Sequence, residues 1–221
     1  MSLSTEQYSK WEYVCAEDSV STVFPDGCRD ILIVSESQGE SVLCFTDWDV
    51  RPRAVYSKQG RSITGFRLRP GFTIDPARIT ECGANGNDVK ELIEFEAGSS
   101  NEAIELVEAL SDYSVSLLTV AKQAGVSVRT VQRYLKNLGL PKPEYWRMLS
   151  RARMAALAIS NGNSLLEISQ EFGYSDQAHM TREFTRWFGQ TPAQIRTQSS
   201  PALDIDYPGL GNWTFEQISI K

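Results

Sequence analysis

Hydrophobic positions along this chain change their spacing after Gly83. Before it they come in short runs rich in β-branched and aromatic residues: Trp11–Cys15, Val20–Phe24, Asp30–Val34, Val42–Thr46, Ala54–Ser57 and Ile63–Leu68. Turn signals part these runs at Pro25-Asp26-Gly27, Ser37-Gln38-Gly39, Gln59-Gly60 and Pro70-Gly71. The pattern predicts short strands in a small sandwich or barrel. Strict alternation in Gly65–Arg69 points Phe66 and Leu68 one way and Arg67 and Arg69 the other.

Helical spacing follows. Asp88–Phe95 reads as a short helix. Ser99-x-x-Glu102 has the form of a capping box, and Ala103, Leu106, Val107 and Leu110 then recur at helical intervals. This predicts a connecting helix within 99–113, which either packs on the strand domain or pairs subunits. From Ser116 to Arg196 the pattern is helical almost throughout. In 199–221, Leu203–Tyr207 alternates like a strand, and Trp213, Phe215, Ile218 and Ile220 are too apolar for a plain disordered end. That tail is expected to dock.

Within the helical part, Leu117, Val120, Ala121 and Ala124 form one face of a first helix. Ser116 can cap its start, and Gly125 suits the left-handed residue that ends it. Ser127 can cap the next helix, in which Val128, Val131, Leu135 and Leu138 line one side. Arg129, Gln132, Arg133 and Lys136 line the other. Two short helices about a glycine turn, the second with a basic and amide-bearing outer face, predict a helix-turn-helix. Arg suits guanine O6 and N7, and Gln suits adenine N6 and N7. A solvated face of an ordinary bundle gives the same pattern, so one such unit decides little.

The pattern recurs. Gly125 and Gly173 lie 48 residues apart, as do Ser127 and Ser175, and Ser164-x-x-Glu167 repeats the capping signal. In Asp176–Phe188, Met180, Phe184, Trp187 and Phe188 face inward, leaving Gln177, Thr181, Arg182 and Arg186 outside. His179 lies near the outer edge, as a packing residue or as a phosphate or base contact. Between the units, Pro143–Ser160 reads as one helix of about 27 Å. Such a strut can hold two recognition helices near the ~34 Å repeat of B-DNA. Its Arg147, Arg151 and Arg153 either touch phosphates or pair within the protein.

Charge sharpens this picture. The chain of 221 residues has a net charge of -6, but residues 114–198 hold 11 Lys and Arg against 5 Asp and Glu. Residues 1–113 hold 10 against 20. A cationic segment inside an acidic chain points to a polyanion partner. The cysteines at 15, 28, 44 and 82 lack close pairs, and reduced thiols are expected. With one histidine, no metal or other cofactor is expected, and no catalytic residues stand out. No apolar run reaches the ~18 residues of a membrane span, and no secretory signal is visible.

Residues 114–197 resemble the DNA-binding domain of the AraC family of transcription regulators. The resemblance is carried above all by Gly173-Tyr174-Ser175-Asp176-Gln177-Ala178-His179-Met180-Thr181-Arg182-Glu183-Phe184 and by Phe188-Gly189-Gln190-Thr191-Pro192-Ala193-Gln194-Ile195-Arg196. It implies base contacts from Arg129, Gln132 and Arg133 in the first unit and from Gln177, Ala178 and Arg182 in the second. One departure is a turn, Asn137–Pro141, about one residue shorter than usual. The segments Phe24–Leu32 and Phe66–Gly71 resemble a domain of unknown role often found before this module. In such regulators a cupin-like strand domain commonly senses a small molecule or pairs subunits, but the usual cupin metal ligands are absent here.

The expectation is an α+β chain. Residues 1–98 form a β-rich, cupin-like sensor or dimerisation domain, 99–113 a connecting helix, 114–198 a double helix-turn-helix, and 199–221 a docked tail. The function expected is a cytoplasmic, bacterial-type regulator binding double-stranded DNA, open to a small-molecule effector and to homodimerisation through 1–113. The interface residues are Arg129, Gln132, Arg133, Lys136, Gln177, Ala178, His179, Thr181, Arg182 and Arg186, with Ser127 and Ser175 at the helix starts. Arg67 and Arg69 are candidates for an acidic effector, unless they pair with Asp26 or Asp30 at a strand edge. An alternative is a DNA alkyl-transfer repair protein with a zinc-bound cysteine nucleophile.

Overall fold

Alternation makes strands where the sequence predicts them. A computed structural model describes residues 7–37, 39–160, 162–197, 207–213 and 218–219. Strands β1 (Tyr8–Val14), β2 (Ser19–Val23), β3 (Arg29–Ser35), β4 (Val42–Phe45), β5 (Arg53–Ser57) and β6 (Ser62–Leu68) follow the expected order. The first begins three residues earlier than expected, because Tyr8 packs its ring 5.6 Å from that of Phe66. β6 lies between β3 and β1, antiparallel to both, with Phe66 opposite Ile31 and Gly65 opposite Trp11. The Trp11 ring crosses Gly65 so closely that a Cβ there would sit 2.0 Å from it. β4 flanks β3, while β2 and β5 form a separate two-stranded ribbon.

The inner face of the sheet carries Ile31, Ile33, Phe66 and Leu68, all buried. It is closed by helix rather than by further strand. A short helix, α1 (Pro76–Glu81), leads into α2 (Gly86–Ser111), whose Val89, Leu92, Ile93 and Ile104 complete that core. The periodicity left α1 unpredicted, although Asp75 caps it and Pro76 opens it. In α2 the expected break at Ser99 does not occur. The Ser99 hydroxyl donates back to the Glu96 carbonyl at 2.8 Å, and that of Ser100 does the same at 3.1 Å. Serines satisfied by the preceding turn leave the backbone ladder unbroken, so the helix runs for 26 residues.

The same helix enters a second core through Ala103, Val107 and Leu110. There it meets α3 (Leu117–Gln123), α4 (Val128–Asn137), α5 (Pro143–Ser160), α6 (Leu165–Glu171), α7 (Gln177–Phe188) and α8 (Pro192–Thr197). Trp146 of α5 and Trp187 and Phe184 of α7 are fully buried at its centre. Among the described residues no helix is long and apolar enough to cross a membrane.

Residues 207–213 lie between the two cores. The Leu210 amide donates to the Asp26 carbonyl at 2.7 Å, and Arg153 of α5 donates to the carbonyls of Leu210 and Tyr207 at 3.1 and 3.2 Å. A side chain at position 209 would strike both Arg153 and Asp26, so glycine is required there by space. Beyond, β7 (Ile218–Ser219) adds to the sheet parallel to β1. The strand expected at 203–207 falls mainly outside the described residues.

Candidate nucleic-acid interface

The first unit is built by caps at each bend. The Ser116 hydroxyl accepts from the Thr119 amide and that of Ser127 from the Thr130 amide, each at 3.1 Å. Between them Gly125, at φ +67°, lets the amides of Val126 and Gly125 bond back to the carbonyls of Ala121 and Lys122. This Schellman turn closes the helix and needs a residue without Cβ strain. Val131 and Leu135 are thereby driven into the core beside Trp146. Leu138 was expected to join them, but it is 36% exposed. The chain reverses at Gly139, and Leu140 takes the buried place, its amide on the Leu135 carbonyl.

Arg129, Gln132, Arg133 and Lys136 stand exposed on the opposite side of α4. None makes a hydrogen bond or ion pair among the described residues. Tyr134, between them in sequence, turns aside toward Glu102 of α2 at 3.4 Å.

The second unit repeats this construction with one shift. Ser164 and Glu167 form a reciprocal capping box at 3.2 and 3.1 Å. The bonds from Ser164 hold the Glu167 carboxyl below its ordinary value. A Ser164→Ala variant should return that carboxyl toward the ordinary glutamate range in a carbon-detected NMR titration. The sign follows from the depressed value: this cap is complete at neutral pH and is lost as pH falls through the titration of Glu167.

Gly173, at φ +66°, ends α6 as Gly125 ends α3. The residue capping α7 is Asp176 rather than Ser175, accepting from the His179 amide at 2.6 Å. Ser175 lies with its hydroxyl 3.3 Å from His179 Nδ1. His179 is held on three sides. Its Nε2 is 3.7 Å from Glu183, and its ring meets Tyr174 edge-on at 5.4 Å.

Gln177, Ala178, Arg182 and Arg186 are exposed on the outer side of α7. Arg186 lies over the Trp187 ring at 4.7 Å, and the half-buried Thr181 donates its hydroxyl to the Gln177 carbonyl at 2.8 Å. The face therefore consists of one arginine and one glutamine without partners among the described residues, a small apolar residue between them, and a second arginine at its edge.

The arginines of α5 all point into the protein. Arg147 donates to the carbonyls of Tyr113, at 3.1 Å, and Val115, fastening the turn between α2 and α3. Arg151 pairs with buried Glu183 and lies 4.5 Å over the Tyr174 ring. Burial, with Glu183 adding to it, pushes the Tyr174 hydroxyl far above its usual value. Arg153 is buried against the tail. No spacing rule separates an inward arginine from an outward one on a helix packed on several sides.

Arg67 also faces a partner rather than a pocket. It pairs with Asp26 at 3.1 Å and Asp30 at 3.3 Å, and donates to the Pro208 carbonyl at 3.3 Å. Burial opposes its charge, but the two carboxylates outweigh this and hold it above the ordinary arginine value. Arg69 pairs with Glu108 of α2 and lines a cleft beside the tail.

A family model described as a helix-turn-helix domain matches residues 120–198. The chain is 31% identical over 112 residues to the HTH-type transcriptional regulator VqsM of Pseudomonas aeruginosa, a match covering 50% of this chain and 34% of that protein. It is 27% identical over 159 residues to the HTH-type transcriptional activator RhaS of Salmonella dublin, covering 67% of this chain and 56% of RhaS. The chain thus spans about a third to somewhat over half the length of these relatives. The solved structure of ToxT from Vibrio cholerae O395 covers 86% of this chain and 98% of ToxT at 10% identity, with a TM-score of 0.42, too low to carry weight.

Proposed function

We propose that residues 120–198, which match a helix-turn-helix domain model, form a DNA-binding domain of the AraC type, and that the chain binds double-stranded DNA sequence-specifically and regulates transcription. The observation that carries the reading is the pair of outer faces on α4 and α7, at equivalent places of a repeated unit and exposed. Arg129, Arg133 and Arg182 read guanine edges, Gln132 and Gln177 adenine edges, and Ala178 a thymine methyl. Lys136, Arg186, Thr181, Ser127 and Ser175 serve the phosphates. His179, already engaged by Glu183 and Ser175, steadies the start of α7 against the backbone of the duplex.

In this reading the 18-residue α5 sets the two helices about one turn of the duplex apart. One chain then reads a split site in successive major grooves. The strand domain, residues 1–113, answers to a small effector or pairs two chains, and the protein works in the cytoplasm. The DNA alkyl-transfer alternative gains nothing from the structure. Buried Cys15 and Cys28 have separate partners, Ser57 and Pro208, and Cys44 lies exposed on β4.

Selection from a random DNA library tests this. Enrichment of two short blocks about 10 base pairs apart is expected. Affinity for the selected duplex should fall with salt, with a slope of about -0.9 per phosphate contact. Binding indifferent to ionic strength contradicts the proposal.

A further inference from the structure

The cleft beside the tail has no part in the DNA-facing surface. It encloses about 290 Å³ between Arg69 and Pro70, Glu108 and Ser111 of α2, and Leu210 and Trp213 of the tail. Two N–H donors on its lining residues, Arg69 Nε and Trp213 Nε1, are buried without a hydrogen-bond partner among the described residues. Other buried side-chain atoms among the described residues also lack a partner, Arg151 Nε and Trp187 Nε1 included, but Arg69 and Trp213 line one cleft, where a single acceptor would satisfy both.

The state of Arg69 says which kind. A carboxylate meeting a guanidinium side-on fills Nε and Nη2 together. Glu108 fills only Nη2 and leaves Nε empty. Glu108 is 52% exposed and turns into water easily, whereas Arg69 is only 19% exposed. The remaining walls, Pro70 and Leu210, are apolar.

We propose that this cleft binds a small organic monocarboxylate, which takes the Nε–Nη2 edge of Arg69 in place of Glu108, accepts from Trp213, and lays its apolar body on Pro70 and Leu210. The bound acid closes the wall formed by the tail. Arg153 fastens that tail to α5, so binding steadies the strand sheet against the helical half. The link to DNA affinity rests on the function proposed above; the binding itself does not.

Calorimetry on the full chain at pH 7 tests it, with cyclohexanecarboxylate and hexanoate as probes and cyclohexanecarboxamide as the neutral counterpart. The acids should bind, and the amide should bind at least about tenfold more weakly. Arg69→Gln should lose at least about tenfold in affinity, and Trp213→Phe severalfold. Glu108→Gln, at an exposed position that leaves folding intact, should bind the acids more tightly because the competitor is gone. Acid and amide bound equally, neither acid bound at millimolar concentration, or a weakening by Glu108→Gln overturns the proposal. Duplex binding is measured separately. Acid binding with no duplex binding upholds the cleft and rejects the regulator; duplex binding with no acid binding does the reverse.

Discussion

Replacing Arg129 and Arg133 together with alanine should weaken binding to a selected duplex by about 2–6 kcal/mol, each base contact contributing about 1–3. Both side chains stand exposed on α4 with no partner among the described residues, so their removal disturbs nothing within the protein. Unfolding midpoints in urea should therefore match those of the parent, and the whole loss should lie in recognition. Fluorescence anisotropy at one fixed salt concentration measures it. Each single variant should also relax the preference at one base pair when the selection is repeated. Undiminished affinity in the double variant places the outer side of α4 away from the duplex.

The reverse pattern is expected of Arg153→Ala. This guanidinium is only 2% exposed, and its burial pulls it below its ordinary value while Asp26 opposes the shift. It donates to Leu210, Tyr207 and, at 2.8 Å, Asn212 Oδ1. Removing it strands buried carbonyl groups and takes a cation from the vicinity of Asp26, whose carboxyl burial already pushes up. The expected loss is about 3–5 kcal/mol of stability, the range for breaking a buried charged cluster from one side. Urea unfolding measures that loss, and hydrogen exchange locates it. The Leu210 amide, 2.7 Å from the Asp26 carbonyl, should lose its protection before the centre of the sheet does. Slow exchange at Leu210 in the variant would mean that the tail holds its place by packing alone.

Arg129 and Arg153 show where sequence reasoning reaches. Arg129 belongs to a short helix with a single buried side, so its neighbours at Val128, Val131 and Leu135 fix the direction it points. Arg153 belongs to a helix packed against α2, α6, α7, α8 and the tail, and no single apolar stripe tells its sides apart. The strands were legible for the reason α4 was: alternation is local, and Phe66 and Leu68 occupy the face it implies. What failed depended on partners distant in the chain or on a motif with two uses. Ser-x-x-Glu begins a helix at Ser164, where both reciprocal bonds form. At Ser99 the same letters sit inside one, because the serine hydroxyl finds the carbonyl behind it. The fate of Arg67 needed Asp26 and Asp30 brought beside it by the sheet, a pairing that the sequence favours over an open pocket but that only the fold can place.

The unbroken course of α2 bears on how the halves can move. A rod of 26 residues, about 39 Å long, is embedded in the sheet at one end and in the helical bundle at the other. Its own backbone offers no joint between the halves, so their relative movement is left to the packing at its two ends and to the tail. A disturbance of the sheet must then arrive at the bundle as the tilt of a lever, reproduced at the far end on the scale of its arms. Stiffness, here, is the means of transmission.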